Sequence, residues 1–240
     1  MPKPDREPWF VRAFGPEYLA LYAHRSEAEA RKQVVAILDS GLLPRKGRIL
    51  DLCCGAGRHL KVLRAQGLGV FGLDLSMDLL RAGSRGWVVR ADMRRVPYAD
   101  GSFAAVLSLF TSFGYFDDAE NLGVLREIRR VLEPGGRVVI DTINPGPTIA
   151  ALKPETVEST DAGTLRARRR VEGRRIIKDI ELVRGGETRR WHESVMVFEP
   201  AELDGMLAKA GLKTVARYAD LGGGRFELAN SPRQAVVAAA

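Results

Sequence analysis

A chain of 240 residues, 45% hydrophobic and 28% charged, has an ordinary globular composition, and folding at that length buries about 70–75% of the unfolded surface. Its longest central apolar run, Ala104 to Phe110, is far short of the ~20 residues of a membrane span; the stretch MPKPDREPWF has no apolar h-region, and two adjacent cysteines cannot staple distant parts of a fold. The expectation is therefore no membrane partner, no signal peptide and a reducing compartment, most simply the cytoplasm, while a formal charge of +7 admits a nucleic-acid partner or a plain solubility setting.

Residues 1 to 15 read as irregular. SEAEARKQVVAILDSG reads as a helix, with Ser26 as cap, Glu29 reaching back, Val34, Val35, Ile37 and Leu38 as the apolar stripe, and Gly41 as the stop. Arg48 to Cys53 is a short strand, Gly57 to Gln66 a helix, LGVFGLD a second strand, Met77 to Ala82 a short helix and WVVRAD a third strand. After the turn PYADGSF comes the strand AAVLSLF. Asp117 to Leu132 is a helix with an acidic cap, facing Leu122, Leu125, Ile128 and Leu132 inward, and EPGG breaks it before the strand RVVID.

This alternation specifies a doubly wound α/β fold, a mostly parallel seven-stranded sheet with an antiparallel last strand. After Pro145 the rhythm changes. TLRARRRVEG, RRIIKDIELVRGG and TRRWHESVMVFEP are strand-like runs separated by glycines, the pattern of an antiparallel meander. Then follow the helix PAELDGMLAKAG, the strand KTVARYAD and the strand QAVVAAA. The expected organisation is one domain over 1–240, with a helical cap over 1–40 and a meander inserted over 155–199.

The chemistry gathers at ILDLCCGAGRHL. Ligands of open α/β sheets sit beyond the carboxyl ends of the strands, and Gly55 and Gly57 lie in the first such turn, where glycine lets the backbone approach a ligand. Asp74, 17 residues past Gly57, ends the second strand, a spacing that suits a carboxylate accepting from both ribose hydroxyls. Asp92 ends the third strand, where an adenine amine could meet it. A pyrophosphate fits poorly: Leu60 stands where a dinucleotide fingerprint has a small residue, and Asp51 would repel the phosphates. An aminoacyl nucleoside suits better, its ammonium group favouring Asp51. Each acid has a plainer alternative as a helix cap. Cys53 and Cys54, the only cysteines, lack metal or redox spacing and read as packing residues. His24, His59 and His192 are scattered, with His59 read as helix surface, so no metal site is expected.

In these stretches the sequence resembles the class I S-adenosylmethionine-dependent methyltransferases. ILDLCCGAG is similar to the family's first motif, with Cys53 in place of a glycine; VFGLDLS to its acidic loop; RADMRRVPYADGSFAAV to the segment bracketing adenine; and VLREIRRVLEPGGRVVID to its entry to the fifth strand. FGPEYLALYAHRSEAEA, LSLFTSFGYFDDAEN and the meander resemble the small-molecule subgroup that includes amino-sugar N,N-dimethyltransferases and glycine N-methyltransferase-like enzymes. The resemblance implies S-adenosylmethionine (SAM) as cofactor. It implies that Tyr22 and Arg25 hold the methionine carboxylate, that Leu109 and Phe110 line the sulfonium end, and that Cys53, Leu75, Met77 and Met93 complete the binding residues. It implies a meander that roofs the acceptor. The Asp-Pro-Pro-Tyr motif of adenine and glutamine methylation is absent, its place reading SLFTSFGY.

The expected reaction is in-line transfer of the sulfonium methyl to a small-molecule acceptor, with catalysis mostly by positioning and desolvation. Tyr22, Tyr115 and His192 are the candidate bases; Tyr115 and Phe116 could equally be core. One rival is RNA methylation through the basic meander, whose residues 164 to 198 carry ten basic and five acidic side chains. Another is a non-catalytic SAM-binding protein; a nicotinamide dehydrogenase is disfavoured by Leu60. The sequence sets no oligomeric state.

Overall fold

The computed structural model describes residues 7–22, 27–44, 46–83 and 86–240. One sheet has the strand order β10-β11-β5-β4-β1-β2-β3. It comprises β1 (Arg48–Leu52), β2 (Gly69–Asp74), β3 (Val88–Arg90), β4 (Phe103–Ser108), β5 (Leu132–Ile143), β10 (Lys213–Tyr218) and β11 (Arg233–Ala239). β1 pairs in parallel with both β2 and β4, and β11 alone runs opposite to its neighbours. The strand order reverses between β1 and β4, which opens a crevice beyond their carboxyl ends.

Helices cover both faces because the central strands are apolar on both sides; β4 is buried along its whole length. On one face α6 (Asp118–Val131) and α8 (Pro200–Lys209) bury Leu125, Ile128, Leu203 and Leu207 against Val106 and Val138. On the other, α3 (Glu27–Asp39) and α4 (Arg58–Ala65) bury Val34, Ile37, Leu60 and Leu63 against Ile49 and Ala105. Asp117 caps α6, its carboxylate accepting the Glu120 N–H at 2.8 Å.

Several expectations are corrected. Residues 1 to 15 are not all irregular: α1 (Trp9–Ala13) lies there, followed by α2 (Pro16–Leu21). Val35 is exposed rather than part of the α3 stripe, because the helix buries Ala30, Val34, Ile37 and Leu38; the Ser26 cap lies outside the described residues. EPGG does not separate a helix from a strand. β5 starts at Leu132 itself, and the Pro-Gly-Gly segment is a bulge: Phe103 pairs with Leu132 and Ala105 already with Arg137. Leu60, standing where a dinucleotide fingerprint has a small residue, packs closely all the same. It is buried beside Gly72, where a Cβ would stand 2.7 Å from both Leu60 Cδ1 and Cys54 Sγ, so the missing side chain is on β2 rather than on the helix.

The insertion is a four-stranded antiparallel sheet, β6 (Glu155–Thr160), β7 (Gly163–Glu172), β8 (Arg175–Arg184) and β9 (Glu187–Met196), preceded by α7 (Pro145–Ala150). The short polar β6 carries no apolar alternation and was not legible as a strand. This sheet is bound to the body at the loop after β4: Met196 N–H donates to Gly114 O at 2.7 Å and Arg175 donates to Phe116 O. A Cβ at Gly114 would stand 2.4 Å from Met196 O, so that approach requires glycine. Ala162 and Leu182 of the insertion pack with Leu21 of α2.

Candidate functional site

Above the β1/β4 crevice lies a cavity of about 340 Å³. Its floor is the β1–α4 loop. Cys53, Gly55 and Gly57 all have left-handed backbones, with φ of 62°, 55° and 71°. Cys53 thus adopts the conformation natural to the glycine it replaces, and the chain folds back so that Cys54 N–H bonds to Leu73 O at 3.0 Å.

Two acids dominate the floor. Asp51, at the end of β1, is 3% exposed, and its Oδ2 has no hydrogen-bond partner among the described residues. Burial, with repulsion from Asp74, pushes its carboxyl up to about 7, against an opposing pull from Arg58. Asp74 ends β2, and its oxygens accept the N–H groups of Gly55 and Ser76, each at 2.8 Å. Burial raises its carboxyl above the usual range while those N–H groups pull it back. The Ser76 hydroxyl also accepts from Leu79 N–H, so Ser76 is the side-chain cap of α5 (Met77–Gly83), which weakens the reading of Asp74 as a mere cap.

Asp92 lies two residues beyond β3. Burial opposes its charge, but Arg94, donating through its guanidinium and its backbone, outweighs burial and holds the carboxyl below its ordinary value. Arg94 in turn reaches Glu120 and sits 4.5 Å over the Phe116 ring.

Of the sequence-expected residues, Tyr22, Asp51, Cys53, Gly55, Asp74, Leu75, Asp92, Met93, Leu109, Phe110 and Tyr115 all line this cavity. Gly57 and Met77 do not. Gly57 is the left-handed entry to α4, and Met77 opens α5, so both act through the backbone. Arg25 lies outside the described residues. His192 lines a separate recess of about 410 Å³ on the inserted sheet, with Trp9, Arg166, Arg168 and Arg190. Phe116 lines the cavity and is also core. Burial pushes the Tyr115 phenol well above its usual value, with carboxylate and thiol neighbours adding to the shift. It is packed between Trp9, at 4.9 Å, and Phe14, at 5.7 Å.

His59 is a correction. It is not surface but 7% exposed and lines the cavity, stacked on Phe110 with ring centroids 5.2 Å apart. Its Nε2 lies 2.9 Å from Gln33 Oε1, and burial, with the Arg58 charge, lowers its pKa to about 3. The covering residues of the expected helical cap went unnamed in the sequence: Phe10 of α1, Phe14 just after it, and Tyr18 and Leu19 of α2 line the cavity. Their signal was present, for aromatic residues recur at 10, 14, 18 and 22, every fourth position. The Tyr22 hydroxyl accepts from Lys178 Nζ at 2.7 Å and donates to Glu193 Oε1 at 3.4 Å, joining the roof to β8 and β9. No cluster of metal-binding side chains occurs among the described residues.

Residues 49–136 match the family model described as "Methyltransferase domain". The chain is 38% identical over 120 residues to the demethylmenaquinone methyltransferase of Thermus thermophilus, covering 46% of this chain and 53% of that one. The chain spans about half the length of the curated relatives it matches. Among solved structures, the CcbJ methyltransferase of Streptomyces caelestis superposes with TM-score 0.76 at 22% identity, over 89% of this chain and 91% of that one. CalS10, an amino pentose methyltransferase of Micromonospora echinaspora solved with SAM bound, superposes with TM-score 0.65 at 23% identity, over 93% and 96%. The match to the methyltransferase-domain model is thus confined to residues 49–136, while the fold of nearly the whole chain is that of these class I methyltransferase structures.

Proposed function

We propose that this chain transfers a methyl group from SAM to a small-molecule acceptor. The observation that carries the reading is the buried, unpartnered Oδ2 of Asp51 on a cavity that also holds Asp74. A buried carboxyl with a free oxygen calls for a donor, and an ammonium meets that need while also lowering the cost of two neighbouring acids. Asp51 would take the amino group of the methionine part. Asp74, pinned by Gly55 and Ser76, would accept from the ribose hydroxyls with its remaining lone pairs. Asp92, fixed by Arg94, would face the adenine amine. Leu109 and Phe110 would line the sulfonium end, and Tyr22 the carboxylate end. The residues fit the group.

Bound there, SAM supplies an electrophilic methyl on a sulfonium that is already a good leaving group. The chain's own part is to exclude water with Phe10, Phe14 and Tyr18, and to orient the acceptor. Tyr115 keeps its proton at neutral pH and His59 stays neutral, so neither takes a proton readily; an amine acceptor that enters as the free base needs no such help. The inserted sheet roofs the acceptor side.

The arginines of that sheet favour a small molecule over RNA. Arg166 and Arg168 pair with Glu155, Arg170 with Glu172 and Asp179, Arg190 with Glu181, and Arg174 with Asp118 and Glu202. They form a charge network along the sheet rather than an unpaired basic strip. Titration calorimetry tests the function. S-adenosylhomocysteine (SAH) should bind at micromolar concentration and raise Tm, and NAD should do neither; NAD binding without SAH binding refutes the reading.

A further inference from the structure

The loop after β4 carries two residues in a conformation that L side chains rarely adopt. Phe110 has φ 54° and Thr111 φ 63°, and Ser112 N–H donates to Leu109 O at 3.3 Å. Leu109 to Ser112 is thus a tight turn with positive φ at both central positions, where Gly, Asn or Asp is the usual choice. An aromatic and a β-branched residue there make a strained turn, and such strain persists only where the surroundings over-determine it.

The surroundings are Asp141 on β5 and Arg233 on β11. Asp141 Oδ2 accepts the Phe110 N–H at 3.0 Å, and the Asp141 carbonyl accepts the Thr111 N–H at 2.9 Å. Arg233 Nε donates to Asp141 Oδ1 at 2.8 Å and its Nη2 to Thr111 Oγ1 at 3.0 Å. The Ser108 and Ser112 hydroxyls close the base of the turn at 2.9 Å. Asp141 is 2% exposed, and neither it, Arg233 nor Thr111 lines the cavity. The turn presents Leu109, Phe110 and Ser112 to the cavity, Phe110 being stacked on His59 with the Arg58 guanidinium 4.7 Å from its ring. A relaxed turn with negative φ would carry Phe110 off that wall.

We propose that Asp141 and Arg233 are positioning residues of the site: they hold the Leu109–Ser112 turn in its strained form, so that Phe110 packs against His59 and Leu109 faces the reacting end of bound SAM. The inference rests on the function proposed above. Asp141 accepts both backbone N–H groups of the turn's centre, through its carboxylate and its carbonyl, and the Arg233 guanidinium, far away in the chain, donates to that carboxylate and to the Thr111 hydroxyl.

Glycine accepts φ near 63° freely, so Thr111→Gly removes strain without touching the cavity. The chain and its variants Asp141→Asn, Arg233→Met, Thr111→Gly, Asp141→Asn/Thr111→Gly and Arg233→Met/Thr111→Gly are titrated with SAH by calorimetry, and each Tm is measured. Asp141→Asn and Arg233→Met should weaken SAH about tenfold, Thr111→Gly should stay within about twofold of the unaltered chain, and both double variants should regain most of the loss. A clamp that only staples β5 to β11 would lower Tm, leave SAH affinity unchanged and gain nothing from glycine. The Arg233 pair carries the comparison if Asp141→Asn does not fold. Unchanged affinity in the single variants, or no recovery in the double ones, overturns the proposal. An unaltered chain that binds no SAH overturns the proposed function and, with it, this inference.

Discussion

Binding of SAH should depend on pH through one carboxyl. With its carboxyl at about 7 in the free chain, Asp51 is mostly protonated at pH 6, and an ammonium ligand selects the ionised form. The binding-competent fraction is about one in eleven at pH 6, one half at pH 7 and ten in eleven at pH 8, so Kd should be about tenfold weaker at pH 6 than at pH 8. Calorimetry in two buffers of different ionisation enthalpy should count about 0.9 protons released per SAH bound at pH 6 and about 0.1 at pH 8. His59, with its pKa lowered to about 3, stays neutral across the window and adds nothing. The sign for stability is opposite. The buried Asp51 carboxyl keeps its proton longer than the unfolded one, so its contribution to the stability of the free chain falls as pH rises from about 4 to about 7. Asp51→Asn should weaken SAH and remove the slope. A flat affinity in the unaltered chain, tighter binding toward acid, or a slope that survives in Asp51→Asn would refute the assignment of the ammonium to Asp51.

Asp74→Ala removes the acceptor for Gly55 and Ser76 and, under the proposed function, for two ligand hydroxyls. At about 1.5–3 kcal/mol for hydrogen bonds to a charged group, SAH should weaken roughly 10- to 150-fold by calorimetry, and unchanged affinity would return Asp74 to a backbone role. Because most arginines of the inserted sheet already have an acidic partner, fluorescence anisotropy with RNA should show only weak binding. Tight binding with a log–log salt slope of several units, at about −0.7 per phosphate, lost when Arg168, Arg169 and Arg170 become Ser, would favour the RNA reading.

The strands and helices of the body were legible because each apolar run is local and strong: Val138, Val139 and Ile140 need no partner to read as buried strand, and Asp117 announces its helix by residue type. The floor of the site was legible for the same reason, since Asp51, Gly55, Asp74 and Asp92 stand in chain order at successive strand ends. What escaped depends on partners distant in sequence. α1 has only five residues, and its share of the four-residue aromatic spacing points to a cavity only once Tyr115 and Phe116 stand opposite. His59 looks like helix surface until Phe110 and Gln33 are folded over it.

The turn at Phe110 and Thr111 is the extreme case. Nothing in SLFTSF signals positive φ, because the residues that sustain it, Asp141 and Arg233, are 31 and 122 positions away from the groups they hold. Local propensity argues against the observed conformation, and tertiary hydrogen bonds override it. A departure of that kind is expected where a backbone is held for a task rather than for its own stability. It falls on a segment of β4's exit that lines the cavity holding the buried acids, and so, under the proposed function, on a segment where the placement of a side chain decides how a methyl group and its acceptor meet.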